Sequence, residues 1–192
     1  MARSLLFMLC LGTGLWQLGS ASWLLAKAEL AQVLINSAWE EQLQGGALQK
    51  PWPWADTWPV AKLKLEGQSP LIVLSGGSGQ ALAFGPGLLA GSGNPGEPRT
   101  TVIAAHRDTH FAGLERVRRG TSIYLQDKRG RWHTYRVAEM RIVDSERERL
   151  PIFAERGLLL VTCYPFNALA AGGPLRYLVY AEYQPGGELV QL

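Results

Sequence analysis

The chain has 192 residues, enough for one domain of ordinary size with an additional segment. Its apolar fraction of 47% can fill a core, while 18% of residues are charged and the formal net charge is +3, a balance that gives no basis for nucleic-acid binding. There are two cysteines, Cys10 and Cys163, and Cys10 lies in an apolar N-terminal run; this excludes a disulfide framework and a structural zinc site, which needs about four closely spaced N and S ligands.

Residues 4–26, "SLLFMLCLGTGLWQLGSASWLLA", carry no charge and lie between Arg3 and Lys27. A bilayer is crossed by about 20 apolar residues. A signal anchor and a cleaved signal peptide both suit this stretch, and "AKA" at 26–28 has the small-residue pattern of a cleavage site. The run exceeds the ~7–15 residue apolar region of a signal peptide, so residues 1–26 are read as a transmembrane anchor. By the positive-inside tendency Arg3 stays in the cytoplasm. The expected location is the cytoplasmic membrane, with a single pass and the remaining domain outside.

Residues 27–56 form a second unit. Leu30, Val33, Leu34, Ala38 and Leu43 have helical spacing, and "GG" at 45–46 ends it. "QKPWPWADTWPV" holds three prolines and three tryptophans and reads as extended chain. Its tryptophans suit either a lipid interface or a strap over the domain surface.

The third unit, residues 57–192, is β-rich. "VAKLKLE", "PLIVLS", a segment near 80–84, "TTVIAAH", "TSIYLQD", "RWHTYRVAEMRIV", "GLLLVTC" and "PLRYLVYAEY" make about eight short strands, separated by Gly, Pro and Asp signals. This is the pattern of a sandwich or barrel. "THFAGLERVRRG" suits a short helical turn, and "DSERERLPIFAE" a charged connection. The basic residues between 116 and 131 read as a solvated face.

Three ionisable residues stand at strand ends: His106 closes "TTVIAAH", Cys163 closes "LLLVTC", and Arg176 opens "RYLVYAE". Singly, each has an ordinary explanation as loop histidine, core cysteine or snorkelling arginine. Together they suffice for acyl transfer from a peptide bond. A thiolate attacks, and a nearby cation favours it over the thiol. Imidazole protonates the leaving amine. A guanidinium presents fixed N–H donors to a developing oxyanion. The order His, Cys, Arg does not suit papain-like enzymes, and "TCYPF" is not the Gly-rich nucleophile loop of chymotrypsin-like ones.

The motifs "LLLVTCYPF", "TTVIAAHRDTHFAGLERVRRGTSIYLQD" and "GGPLRYLVYAE" resemble those of the sortases, which are bacterial cysteine transpeptidases, and stand in that family's order along the chain. The resemblance covers about residues 57–183. The N-terminal run followed by "PWPWADTWPVAKL" resembles the marine proteobacterial group called class GN. Val161 departs from the family, where many members have a small or polar residue. The resemblance implies a closed, mostly antiparallel β-barrel of about eight strands. It further implies cleavage after Thr of a Pro-x-Thr-Gly-like C-terminal sorting signal, through a thioester that an amine acceptor resolves. Cys163 is then the nucleophile, His106 the acid and later base, Arg176 the substrate-positioning and oxyanion residue, and Thr162 a substrate-binding neighbour. A turn role is expected for Asp108, in preference to orienting His106, and structural roles for His110 and His133, the latter facing solvent. No cofactor, metal or calcium site is expected, since "DSERERL" breaks its acids with arginines. Two other readings use the same residues: a cysteine peptidase that releases its target to water, and a non-enzymatic binding module.

Overall fold

The computed structural model describes residues 2–45, 47–149, 155–168 and 172–186, with side chains from residue 6 onward. Gly46, part of the charged connection (150–154), residues 169–171 and the C-terminal 187–192 lie outside the described residues.

Helix α1 (Ala2–Leu43) runs unbroken through the boundary expected at 26/27. It contains no proline, and at 1.5 Å per residue it is about 60 Å long. Its last turns seat on the domain: Ile35 and Trp39 are buried against Ile72 and Leu74. Earlier in the helix Phe7, Leu11, Leu15, Trp16 and Leu24 are exposed. Among the described residues no helix is long and apolar enough to cross a membrane, which corrects the expected span. Gly12, Thr13, Gly14, Gln17, Gly19 and Ser20 dilute the leucine-rich run. In the Pro/Trp segment Trp52 meets Phe84 edge-on at 5.1 Å and Trp58 packs on the core, while Trp54 is exposed. Two of the three tryptophans therefore act as a strap.

Eight strands close a barrel. They are β1 (Pro59–Leu65), β2 (Leu71–Ser75), β3 (Gly87–Leu88), β4 (Thr100–Ala104), β5 (Ser122–Gln126), β6 (Trp132–Asp144), β7 (Gly157–Cys163) and β8 (Leu175–Gln184). The order around the wall is β1-β2-β3-β4-β7-β8-β6-β5. The β2–β3 and β4–β7 pairs are parallel and the others antiparallel, so the barrel is mixed. The segment near 80–84 is not a strand but a short helix, α2 (Gly79–Phe84). Ser78 caps it, its Oγ accepting from Ala81 N–H at 3.2 Å, and Gln-Ala-Leu-Ala favours the helix that this cap starts. The pairing expected there falls instead to Gly87–Leu88. Residues Ala112–Arg116 form a 3-10 turn, within the run expected to turn helically.

The interior is filled by alternate residues of the wall, among them Leu63, Val73, Ile103, Ile123, Leu125, Leu158, Leu160 and Val179, with Phe111 and Leu114 from the turn after β4. Strand β7 is buried on both faces. Leu158 and Leu160 point into this core, while Leu159 and Val161 join Val102, Val143 and Leu178 in a second cluster. That explains the uninterrupted apolar run "LLLV" in place of alternation.

The β5–β6 turn is built on Asp127. Its carboxylate accepts from Arg129 N–H (2.9 Å), Arg131 N–H (3.0 Å), Arg131 Nε (3.0 Å) and His133 Nε2 (3.1 Å). The His133 side chain is only 11% exposed, not solvent-facing as expected, and a Cβ at Gly96 would clash with its ring. Burial pushes the Asp127 carboxyl up, but the hydrogen bonds from His133, Arg131 and Arg129 outweigh it and hold the pKa below its ordinary value. A depressed carboxyl binds its proton more weakly in the folded state. Its stabilisation is therefore present above the unfolded pKa and lost as pH falls through the folded one. Asp127→Asn should cost about 1–3 kcal/mol at neutral pH. In urea unfolding the gap from wild type should close as the pH drops below about 4.

Candidate active site

The site is set by how β4, β7 and β8 run. Strands β4 and β7 are parallel and pair Val102 with Leu159, Ile103 with Leu160 and Ala104 with Val161. Their C-terminal ends therefore reach the same rim. Past the ladder Ala105 N–H donates to the Val161 carbonyl at 3.1 Å, and Thr162 Oγ1 donates to the Ala105 carbonyl at 2.7 Å. His106 and Cys163 each stand two residues past the last pair of this register, Ala104 and Val161, at the same rim. Strand β8 returns antiparallel to β7, and its Arg176 is the pairing partner of Cys163. Three residues far apart in sequence thus lie at one end of the barrel. His106 is exposed, and Cys163, a free thiol, and Arg176 are half-buried.

The Arg176 guanidinium is braced by its own loop: Nη1 donates to the carbonyls of Gly173 (2.7 Å) and Leu175 (2.9 Å). Arginine has five N–H donors, so this bracing does not use up the fork. After Cys163 the chain leaves the wall through Tyr164, whose N–H donates to the Leu175 carbonyl at 3.1 Å. Tyr164 stacks on Tyr177 at 6.3 Å, and Phe166 meets Tyr177 edge-on at 5.3 Å. An aromatic ledge therefore flanks the thiol. Burial raises the Tyr177 pKa against the opposing charge of Arg118, with Tyr164 adding to the rise.

The other sequence candidates divide. Thr162 is 2% exposed, and its hydroxyl proton is committed to Ala105. Thr162 thereby ties the end of β7 to the end of β4. Asp108 accepts from Arg107 Nε at 3.1 Å, which occupies its carboxylate within the turn. His110 Nδ1 lies 3.3 Å from Thr109 Oγ1, and burial, then the charge of His106, lower its pKa. Sequence reasoning passes over Arg107, which is 4% exposed despite its charge. Its Nη2 donates to the Ala168 carbonyl at 3.1 Å, a residue beyond Cys163. Its only sequence signal is a cation next to the candidate histidine. Among the described residues no group of three or more His, Cys, Asp or Glu is gathered to hold a metal.

The Thr162 tether can be tested directly. Thr162→Val keeps the shape but leaves the Ala105 carbonyl without its hydroxyl donor, at a cost of about 1–3 kcal/mol. Thr162→Ser, which loses one methyl, should cost only about 0.8 kcal/mol. Urea unfolding of the two variants should rank them in that order.

Solved structures share this architecture. A Clostridium perfringens sortase D5 transpeptidase superposes with a TM-score of 0.64 at 18% identity, over 81% of this chain and 99% of that one. Sortase A from Corynebacterium diphtheriae gives 0.59 at 22%, over 81% and 86%. Clostridium perfringens sortase C, solved with the C-terminal cell wall sorting motif, gives 0.56 at 22%, over 83% and 90%. At these identities the likeness establishes the fold. No curated protein sequence matches the chain. The family model for the sortase domain matches residues 64–184, most of the chain, running from β1 to the end of β8 and including His106, Cys163 and Arg176. The chain belongs to the sortase domain family.

Proposed function

We propose that the protein is a cysteine transpeptidase acting on a C-terminal sorting signal. The observation that carries this reading is the convergence of His106, Cys163 and Arg176 on one rim through the parallel β4–β7 pair and the antiparallel return of β8. The Cys163 thiolate attacks the scissile carbonyl carbon. The C–S bond forms, and the oxyanion is met by N–H donors of Arg176. The C–N bond then breaks as His106 delivers its proton to the leaving amine, which gives a thioester. An incoming amine loses its proton to His106, attacks the thioester carbonyl and expels the thiolate.

The Clostridium perfringens sortase C solved with the C-terminal cell wall sorting motif supports a substrate of the same kind here. A Pro-x-Thr-Gly-like signal cleaved after Thr is the specific form proposed, with an amine as acceptor. Assignment to class GN is supported by the N-terminal helix followed by "PWPWADTWPV". The proposed location is the outer face of the cytoplasmic membrane. The support is the uncharged stretch 4–26, whose apolar side chains from Leu6 onward stand exposed and offer a lipid-binding surface.

Mixing the chain with Pro-x-Thr-Gly-like peptides should add one acyl group to Cys163 by intact mass, and an added amine should discharge it. Absence of any adduct with an unreactive thiol would sink the transpeptidase reading. Product released at the same rate with and without amine would point to hydrolysis. Arg176→Lys, a point charge without the planar fork, should lose about 100-fold or more in turnover while the melting temperature holds. In a Cys10→Ser background, a membrane-impermeant maleimide should label Cys163 in intact cells. Labelling only after lysis would place the domain inside.

A further inference from the structure

Strand β4 ends at Ala104, so the backbone ladder no longer holds the chain at His106. The chain enters a turn there, pinned by Phe111 N–H donating to the His106 carbonyl at 3.0 Å. The imidazole must nevertheless keep a fixed distance from Cys163 if it is to hand over a proton. Arg107 sits between these two requirements. A guanidinium buried to 4% exposure is unfavourable unless its donors are met. Two of its partners lie on different segments. Nε donates to Asp108 Oδ1 at 3.1 Å, inside the turn that carries His106. Nη2 donates to the Ala168 carbonyl at 3.1 Å, in the connection that leads from Cys163 to β8. The planar fork makes a rigid bracket between them.

We propose that Arg107 is a positioning residue, a buried bracket that locks the His106 turn to the loop behind the nucleophile and so aligns the imidazole with the leaving amine at Cys163. It touches neither substrate nor thiol. The inference rests on the transpeptidase reading and adds to it a residue that governs one chemical event, proton delivery to the leaving nitrogen. A purely structural arginine would affect every reaction at Cys163 alike. A positioning arginine affects the reactions that need the proton.

Two substrates separate these cases. One is the sorting-signal peptide, whose amide C–N bond breaks only as the nitrogen takes the proton from His106. The other is the same acyl portion, ending in Thr, as an aryl ester. There the C–O bond breaks to a phenolate that leaves without a proton, and the same thioester forms. Single-turnover acylation of Cys163 is followed by intact mass for wild type, Arg107→Gln and Arg107→Lys. Arg107→Gln should acylate from the amide about 100-fold more slowly, with its KM little changed. Its ester acylation should fall by less than about tenfold. Arg107→Lys keeps the charge without the fork and should show the same amide-selective loss in milder form. Equal losses on amide and ester, or no loss on either, would overturn the proposal. If Arg107→Gln lacks a cooperative melt, the amide-to-ester ratio of Arg107→Lys decides by the same criterion. A wild-type chain that forms no adduct from either substrate would overturn the transpeptidase reading, and this inference with it. A wild-type adduct with an unchanged ratio in the variants overturns this inference alone.

Discussion

The parallel pairing of β4 with β7 is the constraint on which the site depends. Antiparallel neighbours would send the ends of these strands to opposite rims. A parallel pair sends both C-terminal ends the same way, and its register fixes which residues emerge together. With Ala104 beside Val161, two more residues on each strand give His106 and Cys163. The antiparallel return of β8 then starts where β7 stops and makes Arg176 the backbone partner of Cys163. A slip of one residue in β7 would turn its side chains over. Both faces of this strand are occupied, Leu158 and Leu160 within the core and Leu159 and Val161 in the second cluster, so packing resists that slip.

Beyond the ladder, polar contacts continue the alignment. Thr162 bonds across to Ala105 one residue before each candidate, and Arg107 spans the two loops just past them. The bonds sit at successive depths: strand ladder, buried hydroxyl, buried guanidinium. Together they tie the ends of β4 and β7, and the loops that follow them, at the rim where His106 and Cys163 stand. The aromatic ledge of Tyr164, Phe166 and Tyr177 lies just past Cys163 and offers flat apolar surface there.

The N-terminal helix obeys different rules. Among the described residues its last turns, through Ile35 and Trp39, pack on the barrel. Its earlier apolar residues are exposed. An apolar helix that leaves its side chains in water has not satisfied the hydrophobic effect within its own fold. The chain is therefore divided energetically between a self-sufficient barrel and an extension whose apolar surface calls for another environment.

Seven of the eight strands and the 3-10 turn are legible because their signals are local: short apolar runs and punctuating Gly and Pro. The family motifs carry the order His106, Cys163, Arg176 along the chain. The misreadings also have a local cause. "GQALAF" reads as a strand because its apolar residues fit either period, and the Ser78 cap, visible only as geometry, makes it a helix. His133 lies in a polar strand pattern that points it to water, yet Asp127, six residues earlier, draws it inward. The Thr162 and Arg107 tethers escape notice because their partners, Ala105 and Ala168, are 57 and 61 residues away in sequence. Sequence by itself determined which chemical groups this protein has and in what strand context. Only the tertiary structure decided which of them meet, since a parallel register and a buried hydrogen bond join residues that no local pattern relates.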